Sequence, residues 1–180
     1  MRTEKPSSEQ KKFAEIVLKI ISPEAERFKF KLHRKEITKY STTIIWRKDN
    51  QYLKVNSTTY PPDGLYYNII LGEGSSDDVS EYDWNSVAIW ALAEIIDKKS
   101  KISSYDFPFD DNVESSIKNA NKDLALYGET FLKGDLTIFY EARSKINKNR
   151  SPYKIHKLDE NGNYIIEDEP ISVRKKKKYS

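Results

Sequence analysis

No cysteine occurs anywhere in the 180 residues, which excludes disulfides, thiolate metal sites and cysteine nucleophiles. Histidine is nearly as scarce. His33 and His156 alone cannot make a histidine-rich zinc centre, so an all-oxygen site is the surviving metal option. No stretch is long and apolar enough to span a bilayer, and the opening MRTEKPSSEQ lacks the apolar core of a signal peptide. A cytoplasmic protein is therefore expected. The sequence also lacks a GxSxG nucleophile elbow, a phosphate loop and a dinucleotide fingerprint. The fragment LGEG, residues 71–74, is too short to cradle a dinucleotide, and the carboxylates after it would repel phosphate. No carboxylate spacing selects a catalytic pair. No catalytic residue, metal ligand or cofactor is assigned.

What remains is a chain long enough for one domain with a real core. Hydrophobic residues make up 37%, carried largely by isoleucine and aromatics, and tyrosine is unusually common at 12. Charged residues reach 33% and mean hydropathy is −0.77, yet repeated apolar runs argue against wholesale disorder. The net charge of +3 is mild. An AT-rich coding sequence also produces abundant Lys, Asn and Ile, so the position of charge matters more than its total.

Apolar residues at Phe13, Ile16, Val17, Ile20 and Ile21 predict a first helix, with Ser7 and Gln10 at capping-box spacing. A separate short turn is expected from Ser22 and Pro23. The period then becomes two. RFKFKL alternates, and STTIIWRK-DN-QYLKVNST predicts a hairpin about Asp49-Asn50, placing Trp46 opposite Leu53 and Ile44 opposite Val55. The turn PPDG leads to a further strand with Leu65, Tyr67, Ile69 and Leu71 inward. Asp83 is the expected cap of a helix over WNSVAIWALAEIIDK, and SSYDFPFDD is expected to be a loop. A third helix begins near Asp110 or Asp111, and YGETFLKGDLTIFYEARSKI is helical in part, broken at Gly128 and Gly134. YKIHKLDENGNYIIED predicts a hairpin tipped by Asn161-Gly162. The expected fold is α+β: an N-terminal helix, an antiparallel β-meander, two to three helices and a C-terminal β-hairpin. Residues 1–170 form one domain on this reading, and 171–180 a basic flexible tail.

Two charged sets invite function. The first is LGEGSSDDVSEYDW, where Glu73, Asp77, Asp78, Glu81 and Asp83 follow one another with no basic residue among them. A solvated loop complementing a helix N-terminus, an acidic patch for a cationic protein and a hard-cation site are the competing readings. EF-hand spacing is absent, both here and in LDENGNY, which reads as a turn. The second set is Arg143, Lys145, Lys148, Arg150, Lys154 and Lys157, with Arg174 to Lys178 beyond it. Such charges suit nucleic acid through counterion release, and Tyr153 offers a stacking surface. No helix-turn-helix, zinc finger or ribonucleoprotein motif accompanies them, and a solvated face is the bland alternative.

The order of an N-terminal helix, FKFKL, TTIIWRK, YLKVN and YYNIILGEG resembles a small bacterial group. It is similar to the domain-of-unknown-function-4304 type and to related immunity-like proteins of toxin gene neighbourhoods. The resemblance covers Phe13 to Gly74 and rests on pattern, so no site residue is carried over. It implies a non-enzymatic protein-binding module that neutralises a cationic toxin. Glu73, Asp77, Asp78 and Glu81 would steer the partner, and Tyr82 would anchor it. A nucleic-acid-associated protein is the runner-up, and a carboxylate- and metal-dependent hydrolase or nuclease the weaker third.

Overall fold

The computed structural model describes residues 5–60, 64–74, 84–98, 105–107, 112–148, 154–158 and 164–168. Helix α1, Ser8–Arg27, forms because Phe13, Ala14, Val17, Ile21 and Ala25 recur on one face, and all five are buried. Ser7 caps it, its hydroxyl accepting from the Gln10 N–H at 3.2 Å. The Gln10 side chain does not reach back to complete the expected capping box. It turns into the sheet, where Nε2 donates to Thr59 Oγ1 at 2.6 Å and Oε1 accepts from Thr42 and Ser57 hydroxyls, both at 2.7 Å. Three buried hydroxyls need partners more than an exposed helix end does.

Helix α1 also runs through Pro23, where the sequence predicts a separate turn. Pro23 is exposed, so water can satisfy the carbonyl that loses its donor. Ser22 serves the sheet instead of a cap, accepting from Trp46 Nε1 at 3.3 Å. The chain leaves the helix through Lys29, at φ 69, while the N–H groups of Phe28 and Phe30 both donate to the Ala25 carbonyl. The first strand therefore begins at Lys31, later than RFKFKL suggests.

Strands β1 (Lys31–Ile37), β2 (Ser41–Lys48), β3 (Gln51–Tyr60) and β4 (Gly64–Glu73) form a meander, each antiparallel to the next. Asp49-Asn50 is the two-residue turn, and Asp49 has the positive φ, 51, that such turns require. Trp46 lies opposite Leu53 and Ile44 opposite Val55, as the alternation predicts. Together with Tyr67, Ile69 and Leu71 of β4 they are buried on one face. The mixed face is half-buried at Arg47, Lys54 and Asn56 but closes over Ile45 and Tyr52. Tyr52 fits because its partner across the ladder is Gly72. A Cβ there would stand 2.1 Å from Tyr52 Cζ.

Two short strands extend the sheet where none was expected. Strand β5 (Ser86–Ala88) pairs with Ile70–Gly72, and β6 (Tyr105–Phe107) with Leu65–Tyr67, so both use the outer edge of β4. Helix α2 consequently spans Ile89–Ile96, not the whole of the stretch from Trp84, and begins at an extended Ala88. Trp84, Val87, Ala91 and Leu92 are buried as a helical stripe would be, but the backbone near Val87 answers to the open edge of β4. Asp83, the expected cap, lies outside the described residues.

Helices α3 (Val113–Tyr127), α4 (Glu129–Lys133) and α5 (Thr137–Lys148) follow. The breaks fall at Gly128 and at Gly134, whose φ is 101. Side chains from α1 to α5 and from one sheet face form a single buried cluster, so the fold is α+β. Among the described residues no helix is long and apolar enough to cross a membrane. Strands β7 (Lys154–Leu158) and β8 (Tyr164–Asp168) pair antiparallel in a sheet of their own. Asn161-Gly162 and the tail 171–180 lie outside the described residues.

Replacing Gln10 with Ala strands the buried hydroxyls of Ser57 and Thr59, while Thr42 keeps its bond to the backbone carbonyl of residue 10 at 3.2 Å, and urea unfolding should register a loss of about 2 kcal/mol. Tyr67 adds a pH signature. Burial pushes its phenol from 10.0 up to about 12, against the lowering effect of its hydrogen bond with Ser116, and the Asp123 charge adds to the rise. The unfolded chain ionises first, so stability is intact below about pH 10 and falls toward pH 12 by about 2–3 kcal/mol. Tyr67→Phe should flatten that decline in unfolding curves taken across this window.

Candidate functional site

The acidic segment leaves the sheet at the end of β4 and returns into β5, and the structure fixes both points. Gly72 pairs with Ser86, and the Glu73 N–H donates to the Asn85 carbonyl at 3.0 Å. One residue on, the Gly74 N–H donates to the Asn50 carbonyl at 2.9 Å, tying the exit to the β2–β3 turn. Arg47 reaches up from β2 and donates from Nη1 to the Gly74 carbonyl at 2.6 Å. Gly74 has φ 115, a conformation open to glycine and strained for other side chains. The return point is held as well, because Asn147 of α5 donates from Nδ2 to the Trp84 carbonyl at 3.0 Å.

Glu73 itself is engaged at this stem. Its carboxylate accepts from the Tyr140 hydroxyl at 2.9 Å through one oxygen and from Arg143 Nη1 at 3.0 Å through the other. Arg143 also lies over the Tyr140 ring, 4.8 Å from its centroid, and 5.4 Å from that of the buried Phe139. The two charges are 16% and 17% exposed, enclosed enough for the pair to matter and open enough to remain hydrated. Partial burial raises the Tyr140 phenol above its ordinary range, and donation to the Glu73 carboxylate raises it further, with Arg143 opposing.

Each charged set read from the sequence thus contributes one member to the same ion pair. Glu73 of the acidic set and Arg143 of the basic set neutralise each other, which their separation along the chain concealed. Asp77, Asp78, Glu81 and Tyr82 lie outside the described residues, as does Arg150. Lys145 and Lys148 are exposed on the last turn of α5, where positive charge complements the carbonyl end of the helix. Lys154 and Lys157 belong to β7, on a different element. Tyr140 was not singled out from the sequence; an aromatic three residues before an arginine on one helix was the available signal. Among the described residues no group of three or more His, Asp or Glu side chains is placed to hold a metal ion.

Compared with family models, curated proteins and solved structures, the chain matches none significantly.

A double-mutant cycle with Glu73→Gln and Arg143→Met should return a coupling of about 1–2 kcal/mol in urea unfolding. Either single variant leaves a half-buried charge without its partner and should cost more than the double variant's additive share.

Proposed function

We propose that the protein is a non-enzymatic binding module whose acidic segment, residues 73–83, recognises a cationic protein, a bacterial toxin in the immunity reading. The observation that carries this is the stem. A nine-residue segment, 75–83, bearing Asp77, Asp78, Glu81 and Asp83 is mounted between β4 and β5 on backbone and side-chain hydrogen bonds from the β2–β3 turn, β2 and α5. A mount held at both ends lowers the ordering cost of binding.

Glu73 has a narrower role than the other carboxylates in this reading. With its charge met by Arg143 and Tyr140, it anchors the base while Asp77, Asp78 and Glu81 steer and Tyr82 anchors the partner. The basic set supports a nucleic-acid reading less well, since Arg143 is committed to Glu73 and the exposed Lys145 and Lys148 suit their helix end. Strand β7, carrying Lys154 and Lys157, belongs with that alternative.

The test is affinity capture from native-host lysate at low and high salt, with nuclease treatment in parallel. One stoichiometric, nuclease-resistant protein is the expected result, and Asp77→Lys with Asp78→Lys should slow its association about tenfold or more at low salt. An association rate that ignores both the charge reversal and the salt series would sink this account.

A further inference from the structure

We infer that Glu73 and Tyr140 form a receptor for a partner's arginine, which Arg143 fills from within the free protein as an autoinhibitory contact. This rests on the binding role proposed for the acidic segment and gives the foot of that segment a part in recognition. Glu73 closes β4 and is the first carboxylate of the acidic set. Two features that select a guanidinium meet there, an oriented carboxylate and an aromatic face. The Tyr140 hydroxyl donates to one Glu73 oxygen, which fixes the carboxylate and leaves the other oxygen to a cation. The ring of the same tyrosine lies 4.8 Å from the guanidinium it supports.

The present occupant fits this receptor incompletely. Arginine holds a carboxylate most strongly through two parallel N–H donors. Arg143 uses Nη1 alone, and its Nε is shielded from solvent with no hydrogen-bond partner. A shielded donor left unpaired makes the contact weaker than a fork. Arg143 stands three residues beyond Tyr140 on α5 and comes to the carboxylate across that ring. An arginine arriving from outside is not tied to the helix and can present both donors. Lysine has no fork to offer, so exchange favours an arginine-bearing partner.

Exchange is also open to solvent and spares the rest of the stem. Tyr140 is 42% exposed. The bonds from Gly74 to Asn50, from Arg47 to Gly74 and from Asn147 to Trp84 do not involve the pair, so the segment stays mounted when Arg143 is displaced. Glu73 keeps a cation in either state.

The probe is N-acetyl-arginine amide, with N-acetyl-lysine amide for comparison, titrated against the full chain while the Tyr140 ring and Glu73 carboxyl resonances are followed. Arg143→Ala should bind the arginine probe saturably, with a dissociation constant of about 1–10 mM. That is about tenfold or more tighter than the unaltered protein, because an occupant on the same chain acts as a concentrated competitor. Lys145→Ala, the same charge change at an exposed position of α5, should gain nothing, and Glu73→Gln added to Arg143→Ala should abolish binding. Should Arg143→Ala not fold, Arg143→Gln carries the same comparison. The inference fails if removing Arg143 brings no gain, if Lys145→Ala gains as much, or if the lysine probe binds as well as the arginine probe. Such a failure leaves the binding reading to the charge reversal at Asp77 and Asp78. A partner indifferent to that reversal would defeat the reading while leaving the guanidinium slot in place.

Discussion

The register of β3 against its two neighbours is the constraint on which the remaining structure depends. Strand faces alternate with a period of two, so a slip of one residue would carry Leu53 and Val55 to the mixed face and bring Lys54 into the core. Two local features forbid it. Asp49 takes the positive-φ conformation that the two-residue turn between β2 and β3 requires, and Tyr52 rests in the space that Gly72 leaves by having no side chain. Once β3 is set, Thr42, Ser57 and Thr59 converge on the one point where Gln10 can satisfy them, and α1 is positioned against the sheet. The same register brings Asn50 beneath Gly74 and Gln51 beneath Phe131, whose carbonyl accepts from Gln51 Nε2 at 2.7 Å.

The meander was legible in the sequence because both of its signals are local. Alternation chooses the face, the Asp-Asn pair chooses the turn, and neither asks anything of distant residues. The helical breaks at Gly128 and Gly134 were legible for the same reason. The start of α2 was not, since Val87 and Ala88 satisfy helical spacing and strand pairing equally well. The open backbone edge of β4 decides between them, and no window around Val87 contains β4. Tyr105–Phe107 was read as loop on the same ground. Pro23 illustrates the converse: a strong local signal for a break is overridden because five buried residues on the other face hold α1 to the core.

The candidate site was half-legible. A run of carboxylates after an apolar strand is visible in any reading of the chain, and so is the cluster of cations seventy residues later. That Glu73 and Arg143 meet is a property of topology, arising because α5 packs beside β5 at the end of β4. The pairing converts what resembles two opposed charged patches into one stem with a neutral base.

The order of the sheet has a consequence for synthesis. Strands β1 to β4 are neighbours in both chain and space, so the hairpins can close as soon as they emerge from the ribosome, with little loop-closure entropy to overcome. Helix α1, made first, can cover part of their apolar face. The remainder waits for α3 to α5, encoded more than fifty residues after β3 ends. For that interval a nascent chain displays Trp46, Leu53, Val55 and Ile69 with only partial cover, the condition in which neighbouring chains on a polysome associate.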